Sequence, residues 1–315
     1  MSDMNKIHKL IEEFPEQIRQ AYQLEVPKIK NSFNRVSIVG MGGSYISGLL
    51  IKSVFEEKIK MPIEVSHGFN LIQDSKTLYV LISYNGNTKE VIQAFNKLKK
   101  NNLFVVTSGG KLLELSRKYK KQYVKIPSGL HSRYNIGYCF MPVIRALVNS
   151  GYAKSLKRFD ANRIQRILSK EKKKLEIEAA KLAFELGDRT ALFYATDYFY
   201  AAAYKLQTTI EEDVKLISHA NHISELFHNE LEALPNSEFL PILIIDKRDL
   251  IGLENQMRFF KSYIDKYYEL GFDRYSREER MFLFFQFANF LGYHLAKLKQ
   301  SEIGTTPNSD EIKKK

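Results

Sequence analysis

The chain has 315 residues, more than one ordinary hydrophobic core needs and enough for two domains. Apolar residues make up 44% of it, including 21 Phe and 18 Tyr, which is sufficient to fill two cores. The formal net charge of +12 raises the question of a polyanionic partner. The lysines, however, fall in short scattered clusters (Lys97 with Lys99 and Lys100, Lys118 with Lys120 and Lys121, Lys172 to Lys174) on what read as helix surfaces and turns. With no zinc-ligand spacing and no arginine-rich arm, the charge is assigned to a solvated surface that helps collect an anionic metabolite, not to nucleic acid. Cys139 is the single cysteine, so no intramolecular disulfide forms, and its apolar neighbours Tyr138, Phe140 and Met141 mark it as a buried thiol. No run approaches the roughly 20 apolar residues that span a bilayer. The start, Met1-Ser2-Asp3-Met4, lacks the pattern of a secretion signal, so no membrane association and a cytoplasmic location are expected.

Residues 5–30 carry helical spacing through Ile7, Leu10, Ile11, Phe14, Ile18 and Tyr22, with Pro27 marking a break. A strand over Val36 to Val39 runs into Gly40-Met41-Gly42-Gly43-Ser44, followed by a helix from Ile46 to Phe55. Further strands are expected at Ile63 to Val65, Leu78 to Ile82, Leu103 to Val106 and Tyr123 to Ile126, with a helix over Lys89 to Lys99. Short β-rich apolar runs alternating with helices predict a parallel sheet covered on both faces. From Gly151 to Gly187 the chain is charged and helical and is expected to cross between domains. A second alternation begins at Ala191 to Tyr194. It continues with helices over Tyr198 to Lys215 and Glu225 to Leu234, a short segment Leu216 to His222 between them, and a strand over Phe239 to Ile245. Helices over Glu254 to Tyr267 and Arg277 to Lys299 complete it. The stripe Met281, Phe284, Phe285, Ala288, Leu291 and Leu295 on the last helix reads as core packing. The polar stretch Thr305 to Lys315 is expected to be mobile.

Two loops carry the chemistry. The first, Gly40 to Ser44, follows a strand and opens a helix, an arrangement that brings free N–H groups to an anion. It is not a dinucleotide fingerprint: Tyr45 stands at the third glycine position, and the next strand ends Val65-Ser66-His67 without an acidic residue for a ribose. No Gly-Lys-Ser/Thr is present either, so no nucleotide cofactor is expected. The second loop, Ser83-Tyr84-Asn85-Gly86-Asn87-Thr88, offers Ser83, Thr88 and the amide of Asn87 at a strand end and the next helix start. Hydroxyls plus N–H groups without a Walker lysine suit a phosphate monoester that is held and not transferred. The plainer reading is that both loops are turns and helix caps.

With Thr107-Ser108-Gly109-Gly110-Lys111, these loops resemble sugar isomerase (SIS) domains, most of all those of the bifunctional phosphoglucose/phosphomannose isomerases. The resemblance continues through Arg133 to Tyr138, Ile210 to Lys215 and Phe227-His228-Asn229-Glu230, covering nearly the whole chain. It implies an α/β protein of two doubly wound, flavodoxin-like SIS domains: 1–152 with the phosphate loops and 153–315 with the acid–base residues. It further implies a homodimer with shared active sites, no metal and no cofactor. Phosphate binding is carried over onto Gly42, Gly43, Ser44, Ser83, Asn85 and Thr88, where Asn85 replaces the family's usual serine. Arg133 takes the place beside the developing enediolate, Glu212 that of the base and His228 that of the ring-opening acid. Thr306 and Lys313 complete the site.

The chemistry fits these residue types. Aldose–ketose isomerisation moves a proton between C1 and C2 through a cis-enediol, which one carboxylate performs. A guanidinium stabilises the charge growing on oxygen, and an imidazole protonates the ring oxygen so that the ring opens. The plainer readings are a solvated acidic helix face at 211–213 and a metal cluster of His219, His222 and His228, whose spacing does not share one helix face. A hexose 6-phosphate isomerase is the leading expectation. The alternatives are a non-catalytic SIS module that binds a sugar phosphate and an isomerase of another sugar phosphate.

Overall fold

The computed structural model describes residues 3–152, 159–235 and 238–314. The chain divides into two compact units, one of residues 13–166 and one of residues 1–12 with 167–315.

Helix α1 (Asp3–Glu12) and helix α2 (Phe14–Gln23) replace the single helix predicted over 5–30. Pro15 stands in the first turn of α2, where the missing N–H costs nothing, but it cannot continue the helix before it. The first unit then runs β1 (Arg35–Val39), α3 (Gly43–Ile59), β2 (Ile63–Ser66), β3 (Thr77–Ile82), α4 (Lys89–Leu98), β4 (Asn102–Thr107), α5 (Gly110–Lys118), β5 (Gln122–Lys125) and α6 (Ile136–Asn149). Its five strands are parallel in the order β2-β1-β3-β4-β5. Every residue of β3 and β4 is buried, as in a sheet with layers on both faces. On one face Tyr79, Leu81, Leu103 and Val105 pack with Val91, Phe95, Leu98 and Leu112 from α4 and α5. On α3, a Cβ at Gly48 would come within 2.7 Å of Val65 Cγ1 and 3.1 Å of Ile38 Cγ2, so glycine lets that helix lie against the sheet.

Helix α7 (Ala161–Leu186) leads to the second sheet. There follow β6 (Thr190–Ala195), α8 (Tyr200–Thr209), a π-helical turn Ile210–Val214, β7 (His219–His222), α9 (Ile223–His228), β8 (Phe239–Ile244), α10 (Glu254–Tyr263), β9 (Tyr268–Glu269), α11 (Arg277–Leu298) and α12 (Pro307–Lys314). These strands are also parallel, in the order β7-β6-β8-β9. Two parallel sheets flanked by helices give the expected α/β class. The helix expected over Glu225 to Leu234 stops at His228, with a separate 3₁₀ turn at Glu230–Glu232. The stretch from Thr305 onward, expected to be mobile, contains α12. Among the described residues no helix is long and apolar enough to cross a membrane.

Candidate functional site

In the first unit β1 pairs with both β2 and β3, so connections leave β1 and β3 toward opposite sides of the sheet. A crevice opens at such a switch point, at the carboxyl ends of the strands. Val39 lies opposite Leu81 in the ladder, which sets the loops after β1 and β3 side by side. The loop after β1 turns through Gly42 at φ 52°, a left-handed conformation that glycine adopts without strain. Gly43 begins α3, and Ser44 is buried in its first turn. A Cβ on Gly43 would meet the Ser132 carbonyl oxygen at 3.4 Å, so this loop runs against the segment that carries Arg133.

The loop after β3 is held more tightly. Ser83 N donates to Val106 O at 3.1 Å and Leu112 N to Gly86 O at 2.8 Å. Gly86 has φ 72°, and a Cβ there would fall 1.8 Å from the Gly109 carbonyl oxygen, so no other residue fits. Thr88 occupies the cap position of α4 yet makes no side-chain capping bond. Its Oγ1 lies 2.8 Å from Ser83 Oγ instead. That removes the plain capping reading for Thr88: two hydroxyls face each other at a helix start, where the first backbone N–H groups lack intrahelical partners. Asn85 Oδ1 accepts from Asn87 N at 3.0 Å and lies 3.4 Å from Ser83 Oγ. The Asn87 N–H, expected among the phosphate donors, is therefore already committed. Asn87 Oδ1 in turn accepts from Lys111 N at 3.0 Å, joining this loop to the start of α5.

Arg133 is buried, 8% exposed, in the irregular segment before α6. Asn135 Nδ2 donates to His131 O at 3.2 Å and Asn135 Oδ1 faces Cys139 Sγ at 3.3 Å, fixing the segment to the first turn of α6. Burial pushes the Cys139 thiol up to about 12, so it stays protonated. The structure thus brings Gly42, Gly43, Ser44, Ser83, Asn85, Thr88 and Arg133 to one end of the first sheet.

In the second unit Glu212 sits half-buried in the π-helical turn that ends α8, an irregularity often found at functional positions. The acids 211–213 are not a solvated face: Asp213 is 1% exposed and Glu211 accepts from Gln207 Nε2 at 2.9 Å. Lys215, in a left-handed conformation at φ 64°, closes the turn. Its Nζ donates to Glu212 O at 2.5 Å and to Thr305 O at 2.6 Å. Ser301 Oγ donates to Val214 O at 2.8 Å. These bonds bring half-buried Thr306 alongside the Glu212 turn. Lys313 falls on α12, and its side chain lies outside the described residues. Sequence reasoning passed over Lys215 and Gly292. A Cβ at Gly292 would come within 2.4 Å of Thr209 Cγ2, so α11 packs on the acidic turn only because it carries glycine there. The signal for it was a glycine inside a strongly helical stretch.

His228 is exposed at the carboxyl end of α9 and makes no hydrogen bond or ion pair among the described residues. The other two histidines of that region have separate partners: His219 Nε2 lies 3.3 Å from Glu230 Oε1, and His222 Nδ1 lies 2.7 Å from Asp197 Oδ1. Burial raises the Glu230 carboxyl, but hydrogen bonds from Tyr194 and Asn221 and the charge of His219 outweigh it and hold it below the usual carboxylate range. Among the described residues no group of three or more His, Cys, Asp and Glu is disposed to hold a metal ion.

The second sheet has its own switch point, between β6 and β8. It is filled by ion pairs. Arg280 Nη1 donates to Asp246 Oδ2 at 3.0 Å, Arg277 Nη2 to Asp249 Oδ2 at 2.5 Å and Thr196 Oγ1 to Asp249 Oδ2 at 2.9 Å. Both carboxylates there are thus paired with arginines, Asp249 with the Thr196 hydroxyl as well.

Residues 175–315 match the family described as the bacterial phospho-glucose isomerase C-terminal SIS domain. The chain is 30% identical to a bifunctional phosphoglucose/phosphomannose isomerase of Caldicellulosiruptor bescii over 331 aligned positions, covering 96% of each protein. It is 29% identical to the protein of the same name from Thermoplasma volcanium, covering 85% of this chain and 86% of that one. Among solved structures, the C-terminal domain of glucosamine-fructose-6-phosphate aminotransferase from Francisella tularensis superposes with a TM-score of 0.76 at 17% identity, covering 96% of this chain and 98% of that one. That last likeness bears on the fold.

Proposed function

The chain belongs to the bifunctional phosphoglucose/phosphomannose isomerase family, and from that premise we propose that it interconverts glucose 6-phosphate and mannose 6-phosphate with fructose 6-phosphate. The observation that carries the reading is the Ser83–Thr88 hydroxyl pair, 2.8 Å apart and unused for capping, at the switch point of the first sheet. The pair and the start of α4 hold the phosphate, with Gly42, Gly43 and Ser44 on the facing loop. Asn85 shapes the loop through its own turn.

Catalysis then needs three events. His228 protonates the ring oxygen, the bond from that oxygen to the anomeric carbon breaks, and the anomeric hydroxyl releases its proton to solvent as the carbonyl forms. Glu212 takes the proton from C2 and returns it to C1 across a cis-enediol, the half-buried carboxylate acting as the one base for both carbons. Arg133 stabilises the charge that grows on oxygen between those steps. Thr306 and Lys313 complete the site near C2. The protein acts in the cytoplasm as a homodimer that needs no metal or cofactor, and each site takes Glu212 and His228 from different chains. Exposure of His228 without a partner among the described residues supports that sharing.

The test is an assay of purified protein with the three hexose phosphates, with and without EDTA. Interconversion of all three, unchanged by EDTA, is expected. Binding without turnover would leave a sugar-phosphate-binding module, and turnover of a different sugar phosphate alone would overturn the substrate assignment.

A further inference from the structure

Tyr84 lies between Ser83 and Asn85 in the loop after β3, and neither phosphate binding nor the proton transfer uses it. Its carbonyl oxygen accepts from Ser108 N at 2.8 Å and from Ser108 Oγ at 2.6 Å, which ties it to the loop after β4. Its hydroxyl oxygen accepts from Leu130 N at 2.7 Å. One residue therefore joins three segments: its own loop, the 107–110 loop and the segment that carries Arg133. Leu130 stands three residues before Arg133 and directly after Gly129, which has φ 82° in a stretch without helix or strand. On the far side of Arg133, Gln17 Nε2 donates to Tyr134 O and Asn135 Nδ2 to His131 O. The Arg133 segment is thus held at its end by α2 and α6, and near its start by the Tyr84 hydroxyl.

We propose that Tyr84 is a positioning residue that couples the phosphate-holding loop to Arg133. The inference rests on the role given to Arg133 above. A sugar phosphate that orders Ser83 and Thr88 also fixes Tyr84 between them. The phenol then holds Leu130 N, and through it the distance of the guanidinium from the reacting carbons. Its contribution falls on the transition state, where charge on oxygen makes the placement of Arg133 matter, and not on ground-state binding of the phosphate.

Tyr84→Phe removes the hydroxyl and keeps the ring. Losing one neutral hydrogen bond of this kind corresponds to a fall in kcat of about three- to tenfold. KM for fructose 6-phosphate and the affinity for inorganic phosphate should stay within about twofold, since the phosphate groups are untouched. Affinity for a five-carbon aldonate 5-phosphate, whose carboxylate copies the enediolate, should fall by the same factor as kcat. In an Arg133→Lys background, Tyr84→Phe should cost little more, because residues acting as a unit are not additive. Ser108→Ala loosens Tyr84 from the other side and should give the same kcat-selective loss should Tyr84→Phe fold poorly. A rise in KM at constant kcat, or a full additional loss in the Arg133→Lys background, would overturn the inference. An Arg133→Ala variant that is inactive beside a Tyr84→Phe variant with unchanged kcat overturns the inference alone. An Arg133→Ala variant with unchanged turnover removes the role of Arg133, and the inference with it.

Discussion

Ser83 and Thr88 bring their hydroxyl oxygens to 2.8 Å across a loop of four intervening residues, from the end of β3 to the cap position of α4. Ser83 is 2% exposed and Thr88 half-buried, and the Thr88 side chain leaves the α4 amides uncapped. In the proposed reading a bound phosphate would take hydrogen bonds from both hydroxyls and from those amides. Ser83→Ala and Thr88→Ala each remove one bond to a charged group, about 1.5–3 kcal/mol. Calorimetry should show both variants binding fructose 6-phosphate more weakly, while the feeble binding of free fructose stays as it was. Equal losses for the two sugars would assign both hydroxyls to folding alone.

Gly86 tests the same loop through its backbone. With φ 72° and a Cβ position 1.8 Å from Gly109 O, alanine cannot enter without separating the loops after β3 and β4. Gly86→Ala should abolish fructose 6-phosphate binding and lower Tm, whereas Gly109→Ala, with open space at its Cβ, should keep both near wild type. Wild-type binding by Gly86→Ala would show that the loop is looser than its hydrogen bonds imply.

The fold was legible where pattern and burial agree. The runs at β1, β3, β4, β6 and β8 are short, apolar and enclosed by glycine or polar turns, and each forms a central or fully buried strand. The edge strands of the first sheet were legible as well, but those of the second were harder. His219–His222 and Tyr268–Glu269 are partly exposed, carry no apolar run and become strands by pairing with β6 and β8. Helix α6 was missed because it is buried over most of its surface and carries Pro142 inside, so neither an amphipathic stripe nor an uninterrupted pattern announces it. At the candidate site, both loops were visible as glycine–hydroxyl clusters between strand and helix. The Lys215 bridge to Thr305 was not, because it spans 90 residues of sequence and leaves no periodic trace.

Asp246 gives the protein an acid-labile element. The Arg248 hydrogen bond and the nearby Arg280 charge hold its carboxyl at about 2, against the usual 3.9 for an unfolded chain. A carboxylate depressed in the folded state stabilises above the unfolded pKa, and that stability is lost as pH falls through the folded one. Because Arg248 is largely exposed, solvent screening leaves a contribution on the order of 1 kcal/mol, complete above pH ~4 and fading toward pH ~2. Asp246→Asn should lower Tm at neutral pH and flatten its decline over that window. An Asn variant whose Tm tracks wild type at every pH would show that the pairings of Asp246 with Arg248 and Arg280 add nothing to stability.

Glu212→Gln keeps the shape of the side chain and removes its basicity. Turnover of fructose 6-phosphate should fall by about 10²–10⁴, the scale of general-base loss, with KM nearly constant because the phosphate loops lie in the other unit. Exchange of the C2 proton of glucose 6-phosphate with solvent deuterium, read by NMR, should fall by the same factor. Near-normal exchange would move the base to Glu211 or Glu230.

Sharing of the site between chains can be tested with two inactive variants. His228 is exposed at the end of α9 with no partner among the described residues, while Glu212 is held in the turn after α8. In a two-fold dimer any shared pair occurs twice. If each site takes Glu212 from one chain and His228 from the other, a mixed dimer of Glu212→Ala and His228→Ala chains has one site with both defects and one site with neither. Unfolding the variants together and refolding the mixture should restore activity. At equal concentrations half the dimers are mixed and each holds one good site, so about a quarter of wild-type activity should return by random pairing. If both residues come from one chain, every site keeps a defect and no activity returns. Native mass spectrometry of chains carrying different tags establishes that mixed dimers are present. Mixed dimers without activity would overturn the shared site and leave His228 acting in its own chain, or not acting at all.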